Sequence, residues 1–319
     1  EKYRLRRETE KSITLLEHSM NPNKFSNWFR SSRKVFGDVL CVPESIVLPM
    51  PLDSFIPLIS DNLGKKEDNE ALGEYIKRYI PPYMKGKLFM KTDVFSNKFN
   101  FEDPLIQDIE LMSAEALGKK FFDIAYSSLL VGAGITTEIV VREYIESPED
   151  TPTIYSGMPL VPEFRFFIDF SERKVESASF YWHPKEMFDG LFGKHNLDLK
   201  ELGYDIPFEE RFTLIDQSHK NYINKIIRTQ KLEDYVADDL FDYKTYLQNE
   251  ERLTQFFEEN YKELAHRIES ALEDVHSYEL APFEGQRWSL DVMYTNEEYY
   301  LIDMALANQS ALQNYAIRI

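Results

Sequence analysis

Two short apolar runs near the end of the chain, each carrying one acid, limit what this sequence can build more than any other stretch. Ser289 to Tyr294 reads SLDVMY, Tyr299 to Ala305 reads YYLIDMA, and the polar segment Thr295 to Glu298 joins them. The spacing predicts a β-hairpin with a four-residue loop, Asp291 in one strand and Asp303 in the other. The neighbours Leu290, Val292, Ile302 and Met304 predict that both strands are largely buried. A buried carboxylate costs roughly several kcal/mol unless a cation or strong donors compensate it. Two of them side by side repel and call for a positive partner. A hard divalent cation, Mg²⁺ or Mn²⁺, meets that need through oxygen ligands and bridges readily to phosphate. An arginine or a set of backbone N–H groups meets it without a metal, and spacing alone leaves both readings open.

A second buried charge is predicted upstream. Pro162 to Phe170 reads PEFRFFIDF, which puts Arg165 inside a strand whose neighbours Phe164, Phe166 and Phe167 are apolar. A planar five-donor guanidinium matches phosphate oxygens or a carboxylate. Arg165 facing Asp291, Asp303 and a γ-phosphate would account for three buried charges with one ligand. A salt bridge from Arg165 to Glu163 or Asp291 would account for it with none.

Two lysines extend the pattern. Lys87 to Asn100 (KLFMKTDVFSNKFN) reads as strand, turn and strand, with Lys91 closing an apolar run and Lys98 following Ser96-Asn97. An amine on a rigid strand can meet an α- or β-phosphate while a polar loop folds over the rest. Lysines on two-stranded edges also serve solubility alone.

Composition bounds the remaining choices. The 319 residues are 43% hydrophobic and 14% aromatic, ample for a packed core of two or three lobes. A net charge of −18 argues against a nonspecific nucleic-acid binder, which needs clustered Lys and Arg. Cys41 is the single cysteine, which excludes an intrachain disulfide and a multi-cysteine zinc site. The six histidines, His183 and His195 among them, form no metal-ligand spacing. No run approaches the ~18 apolar residues of a membrane span and no signal peptide is visible, so a cytoplasmic protein without membrane association is expected.

The remaining elements follow from periodicity. Glu1 to Met20 is expected to be helical, as is Lys24 to Phe36, whose Arg30, Arg33 and Lys34 read as a solvated basic face or as a source of one phosphate contact. Val39 to Leu48 reads as a strand, Phe55 to Leu63 and Asn69 to Tyr79 as helices, and Pro104 to Val131 as a helical region ended by Gly132-Ala-Gly134. Thr137 to Ile145 is a β-branched strand that runs into the acidic, proline-broken stretch 146–152. Lys231 to Asp242 and Asn249 to Val275 are helical, the latter a core scaffold on its aromatic stripe. Expected divisions are an N-terminal region 1–85, a lobe 86–150, and a lobe 151–319 with a helical insert at about 181–277.

The order Lys91 strand, Arg142–Ile145 strand end, Arg165, Asp291, Asp303 resembles a divergent ATP-grasp fold. The likeness covers residues 36–180 and 277–311. Among its members it is most similar to cell-division-cycle assembly chaperones and phage-type peptide ligases. The resemblance implies a mixed α/β (α+β) fold in which two lobes with antiparallel sheets grip ATP with Mg²⁺ or Mn²⁺. It implies Lys91, with Lys98, on phosphates and Arg165 on the γ-phosphoryl group. Arg142, Glu143, Tyr144 and Ile145 would frame adenine, with Glu146 or Glu149 on the ribose. Asp291 and Asp303 would hold metal. The family's metal-binding Asn two residues past the second acid is replaced here by Ala305, leaving Asn308 as the nearby amide. Its chemistry is carboxylate–amine ligation through an acylphosphate, with a peptide or protein as possible substrate. The alternative is an ATP-binding assembly factor that clamps a protein partner without ligating it.

Overall fold

In a computed structural model of the chain, residues 20–60, 63–193, 207–229 and 234–319 are described. The helix expected over residues 1–20, the stretch 194–204 with His195, and the start of the 231–242 helix fall outside them. The molecule is a mixed α/β protein built on antiparallel sheets.

The first lobe is a four-stranded sheet of β1 (Ser45–Pro49), β2 (Leu88–Thr92), β3 (Leu105–Ile106) and β4 (Glu138–Glu143), in the order β1-β4-β2-β3. Period-2 alternation divides its side chains. Leu48, Leu88, Met90, Ile139 and Val141 face backwards into one cluster with Leu72, Ile76, Leu117 and Phe121. Phe89, Lys91, Val140 and Arg142 therefore face forwards, the register pairing Phe89 with Arg142 and Lys91 with Val140. The rear cluster is covered by helices α3 (Lys66–Tyr79) and α4 (Ala114–Leu130), while α2 (Leu52–Ile59) packs beside them. The helices α3 and α4 approach through two glycines. A Cβ on Gly73 would lie 1.8 Å from the Ala114 carbonyl oxygen, and one on Gly118 would lie 1.9 Å from that of Asn69. Residues 45–79, expected in a separate N-terminal region, thus contribute β1 and α3 to this lobe.

The second lobe is a five-stranded sheet in the order β10-β9-β7-β8-β11. Its strands are β7 (Glu163–Asp169), β8 (Lys174–Phe180), β9 (Arg287–Thr295), β10 (Glu298–Leu306) and β11 (Ile317–Arg318). Phe164, Phe166 and Ile168 of β7 and Trp288, Leu290 and Val292 of β9 share one buried face. Each such side chain contributes roughly 1.5–3 kcal/mol when fully buried. Helix α7 (Glu250–Glu273) packs on that face through Leu253, Phe257, Tyr261, Leu264 and Ile268, the scaffold role its stripe predicts. Helices α5 (Phe208–Thr229) and α6 (Asp234–Leu247) pack together beside it. A small hairpin of β5 (Thr153–Ile154) and β6 (Met158–Pro159) connects the lobes. Helix α1 (Phe25–Phe36) buries Phe25, Trp28, Phe29, Val35 and Phe36. Its basic face is a surface feature, with Arg33 paired to Glu44 and Lys34 to Glu279, each at 2.9 Å. Among the described residues no helix is long and apolar enough to cross a membrane.

Three local expectations are corrected. The terminal hairpin turns on two residues rather than four: Thr295 pairs with Glu298, and Asn296 and Glu297 take φ of 50° and 63°. Two successive left-handed residues match the twist of the flanking strands, so polar residues flanking the turn extend the ladder. The segment after Lys91 does not form a second strand near Lys98. The Thr92 hydroxyl accepts from Phe95 N, and the Asn97 and Asn100 amides donate to Asp103, so local polar bonds hold a loop. The helix expected from Pro104 starts at the Ser113 cap, which accepts from Ala116 N at 3.1 Å.

Candidate functional site

The forward faces of the two sheets enclose a cleft. Phe89, Lys91 and Arg142 come from the first sheet, and Glu143, Tyr144 and Ile145 from the strand end leading out of it. Ser96, Lys98 and Phe101 come from the loop after β2, Met158 and Pro159 from β6, and Glu163, Asp291, Met293, Ile302 and Asp303 from the second sheet. Its empty volume, open mouth included, is about 730 Å³. Its lining includes the apolar and aromatic side chains of Phe89, Phe101, Tyr144, Met158 and Met293. It also carries charge.

Asp291 and Asp303 lie directly opposite each other on β9 and β10, yet each is matched by its own cation. Arg165 is the cross-strand neighbour of Asp291 in the β7–β9 register. Its Nε and one Nη donate to the two carboxylate oxygens of Asp291, each at 2.7 Å, and the other Nη donates to the Ala311 carbonyl at 3.1 Å. With its donors so arranged, Arg165 stands behind Asp291 and is not among the residues that line the cleft. Asp303 takes its cation from the other sheet: Lys91 Nζ lies 3.0 Å from Oδ2. The Asp303 side chain is 43% exposed, opening into the cleft, whereas that of Asp291 is 7% exposed. The two acids are therefore not equally buried, as their sequence neighbours had suggested. Burial acts to raise the Asp303 carboxyl, but the Lys91 ammonium and its hydrogen bond, with Arg142 and Lys98 behind, outweigh it and hold the group below the usual carboxylate range.

Two charges of the cleft lining, Glu163 and Lys98, form no ion pair among the described residues. Glu163, two residues before Arg165 and thus on the same face of β7, is 1% exposed. Its Oε2 is buried without a hydrogen-bond partner. Burial pushes its carboxyl up to about 8, with Lys98 and Arg165 opposing and Asp291 adding. Lys98 lies with its ammonium 4.3 Å from the centre of the Tyr181 ring, and Arg165 sits 5.2 Å from the same ring. Burial lowers Lys98, while Glu163 and Asp291 work in the other direction. Glu163 is the residue that sequence reasoning passed over, treating it only as a partner for Arg165. Its i, i+2 spacing from an inward-facing arginine was the available signal.

Arg142 lines the cleft and bridges the two sheets. It is 5% exposed, and its guanidinium donates to the carbonyls of Ile302 at 2.6 Å and Leu301 at 3.1 Å, joining the two lobes at the cleft floor. Burial lowers it to about 10, Asp303 opposing. Of the strand end beyond it, Glu143 N donates to Glu44 O at 2.9 Å and Tyr144 N to Lys87 O at 3.4 Å, while the Ile145 N–H meets no partner among the described residues. Glu146 pairs outward with Lys87 at 3.0 Å, and its carbonyl accepts from the Asn296 side chain at the hairpin tip, at 2.8 Å. Glu149 and Asn308 are exposed and outside the cleft lining, so neither expected contact is formed.

A divalent cation fits this donor set poorly. Asp291 is engaged by Arg165, Asp303 by Lys91, and Asn308 is elsewhere. Among the described residues no group of three His, Cys, Asp or Glu side chains could hold a metal ion.

No family model matches the chain, and no curated protein matches it. Among solved structures it is similar to C-terminally truncated Cdc123 from Schizosaccharomyces pombe, at 13% identity and a TM-score of 0.42, over 92% of this chain and 89% of that one. It is also similar to Cdc123 from the same organism, at 12% identity and a TM-score of 0.40, with the same coverage.

Proposed function

We propose that the cleft is a nucleotide site of the ATP-grasp kind and that the chain is an ATP-binding assembly factor, holding a protein partner without ligating it. The observation that carries the nucleotide reading is Glu163: a fully buried carboxyl with an unpartnered oxygen, aimed into a cleft whose opposite wall carries Lys91 and Lys98. A buried polar group without a partner costs about 1–3 kcal/mol, and the hydroxyls of a ribose would supply what it lacks. In this reading Phe89, Phe101, Tyr144, Met158 and Met293 enclose the base, and the free Ile145 N–H meets its edge. Lys91 and Lys98 receive the phosphates as point charges.

Binding is favoured over ligation because of where the cations stand. Acylphosphate chemistry as expected from the resemblance needs Arg165 and a held metal at the γ-phosphoryl group. Here Arg165 is bound to Asp291 and Ala311, and the acids are committed to protein cations.

The test is thermal unfolding and calorimetry with ATP, ADP and GTP, each with and without Mg²⁺, alongside phosphate release. ATP at 100 times its Kd should stabilise the fold by about 2.7 kcal/mol, with little turnover. No shift with any nucleotide would end the nucleotide reading. Phosphate release that appears only when a carboxylate and an amine are both supplied would move the chain to the ligases.

A further inference from the structure

The strand that carries Asp303 breaks its own alternation. In a regular strand successive side chains point to opposite faces, and a slip of one residue reverses every one of them. Along β10, Tyr299 and Leu301 belong to the core cluster, and beyond them Met304 and Leu306 do. The core-facing positions are odd before residue 302 and even after it. Ile302 and Asp303, consecutive in sequence, both line the cleft. The cause lies in the ladder with β9: Leu301 pairs with Val292 and Asp303 with Asp291, so Ile302 is an extra residue, a β-bulge. Without it, Asp303 would share the face of Leu301, which is completely buried.

The two carbonyls at that bulge, Leu301 and Ile302, are the ones that accept from Arg142. The guanidinium reaches them from the centre of the other sheet, since β4 is flanked by β1 and β2. Lys91, on β2 and the same forward face, then holds the carboxylate that the bulge presents. One sheet thus fixes both the backbone leading into the acid and the acid itself.

We infer that Arg142 is a positioning residue that presents Asp303 to the cleft, its two donors completing the bulge whose change of phase turns that acid out of the core. The consequence for ligand binding rests on the nucleotide reading above; the consequence for the strand does not.

Amide hydrogen exchange at residues 302–304 and ATP affinity, measured together on the full chain, test it. The set is wild type, R142K, R142Q, D303N and the double variant R142Q/D303N. In R142Q exchange at 302–304 should rise roughly tenfold or more, the loss of hydrogen bonds to a charged donor, while α7 stays protected. R142K, which keeps the charge but not the two-pronged donor, should fall between. ATP affinity should change in the same direction and by a similar factor in R142Q, D303N and the double variant, because the arginine acts through the same carboxylate, the partner of the phosphate-binding Lys91. Unchanged exchange at 302–304, or affinity changes that multiply in the double variant, would overturn the assignment. If R142Q fails to fold, R142K alone decides: exchange and affinity both equal to wild type would refute it. Should the wild type bind no nucleotide, the nucleotide reading fails, and the exchange data still judge Arg142.

Discussion

Asp291 and Asp303 face each other across one hairpin, but their counter-charges come from different regions of the molecule. Asp291 is matched within its own sheet, by an arginine one strand away, in two bonds of 2.7 Å with almost no solvent. Asp303 is matched across the seam, by a lysine from the other lobe, with much of its carboxylate open to the cleft. The same residue type at the same register thus does two jobs. The pair inside the sheet holds the fold; the pair across the seam is the one a ligand can enter.

The largest expected effect breaks the interior pair. Asp291→Asn leaves the Arg165 guanidinium buried without a counter-charge and should destabilise the fold by about 3–5 kcal/mol in chemical denaturation. A loss under about 1 kcal/mol would erase the contrast between the two acids. Next comes Glu163, whose carboxyl is raised to about 8 when folded against an ordinary value of 4.5. The folded state therefore keeps a proton that the unfolded chain releases, so stability should decline as pH rises from about 4.5 through 8. The difference between wild type and Glu163→Gln should change by on the order of 5 kcal/mol across that window. A difference that stays flat with pH would show that Glu163 finds a partner in solution.

Across the seam, Lys91→Met should weaken ATP binding by about 10- to 100-fold, or ~1.4–2.7 kcal/mol, read by calorimetry. Its effect on stability should be smaller than that of Asp291→Asn, because the Asp303 carboxylate left behind is already partly hydrated. An unaltered affinity would remove Lys91 from the site. The smallest effects belong to Glu149→Ala and Asn308→Ala, both exposed and outside the cleft. Each should change stability and ATP affinity by less than about 0.5 kcal/mol.

What could be read from the sequence follows from what each signal depends on. Apolar neighbours alone marked Lys91 and Asp291 as charges carried by strands, because strand patterning is local. Arg165 was correctly recognised as an inward-facing charge, but which of its two candidate partners it would meet depended on strand order, which the spacing did not contain. Arg142 was only half legible, for a related reason. Its position beside the strand end suggested a ligand contact, and only a bulge 160 residues later explains why a guanidinium is needed there. The bulge itself leaves no mark in YYLIDMA, since Ile302 is as apolar as its neighbours. Glu149 and Asn308 were chosen by nearness in the chain, and the turns that follow Ile145 and Leu306 carry both away from the cleft.

The hairpin tip offers a last consequence. Asn296 is tethered to the carbonyl of Glu146, at the start of the connector between the lobes. The outermost point of the second sheet is thereby moored to a segment that must flex if the lobes change their separation. A reporter group placed on exposed Glu297, outside every contact discussed above, would register such breathing directly, without touching the cleft.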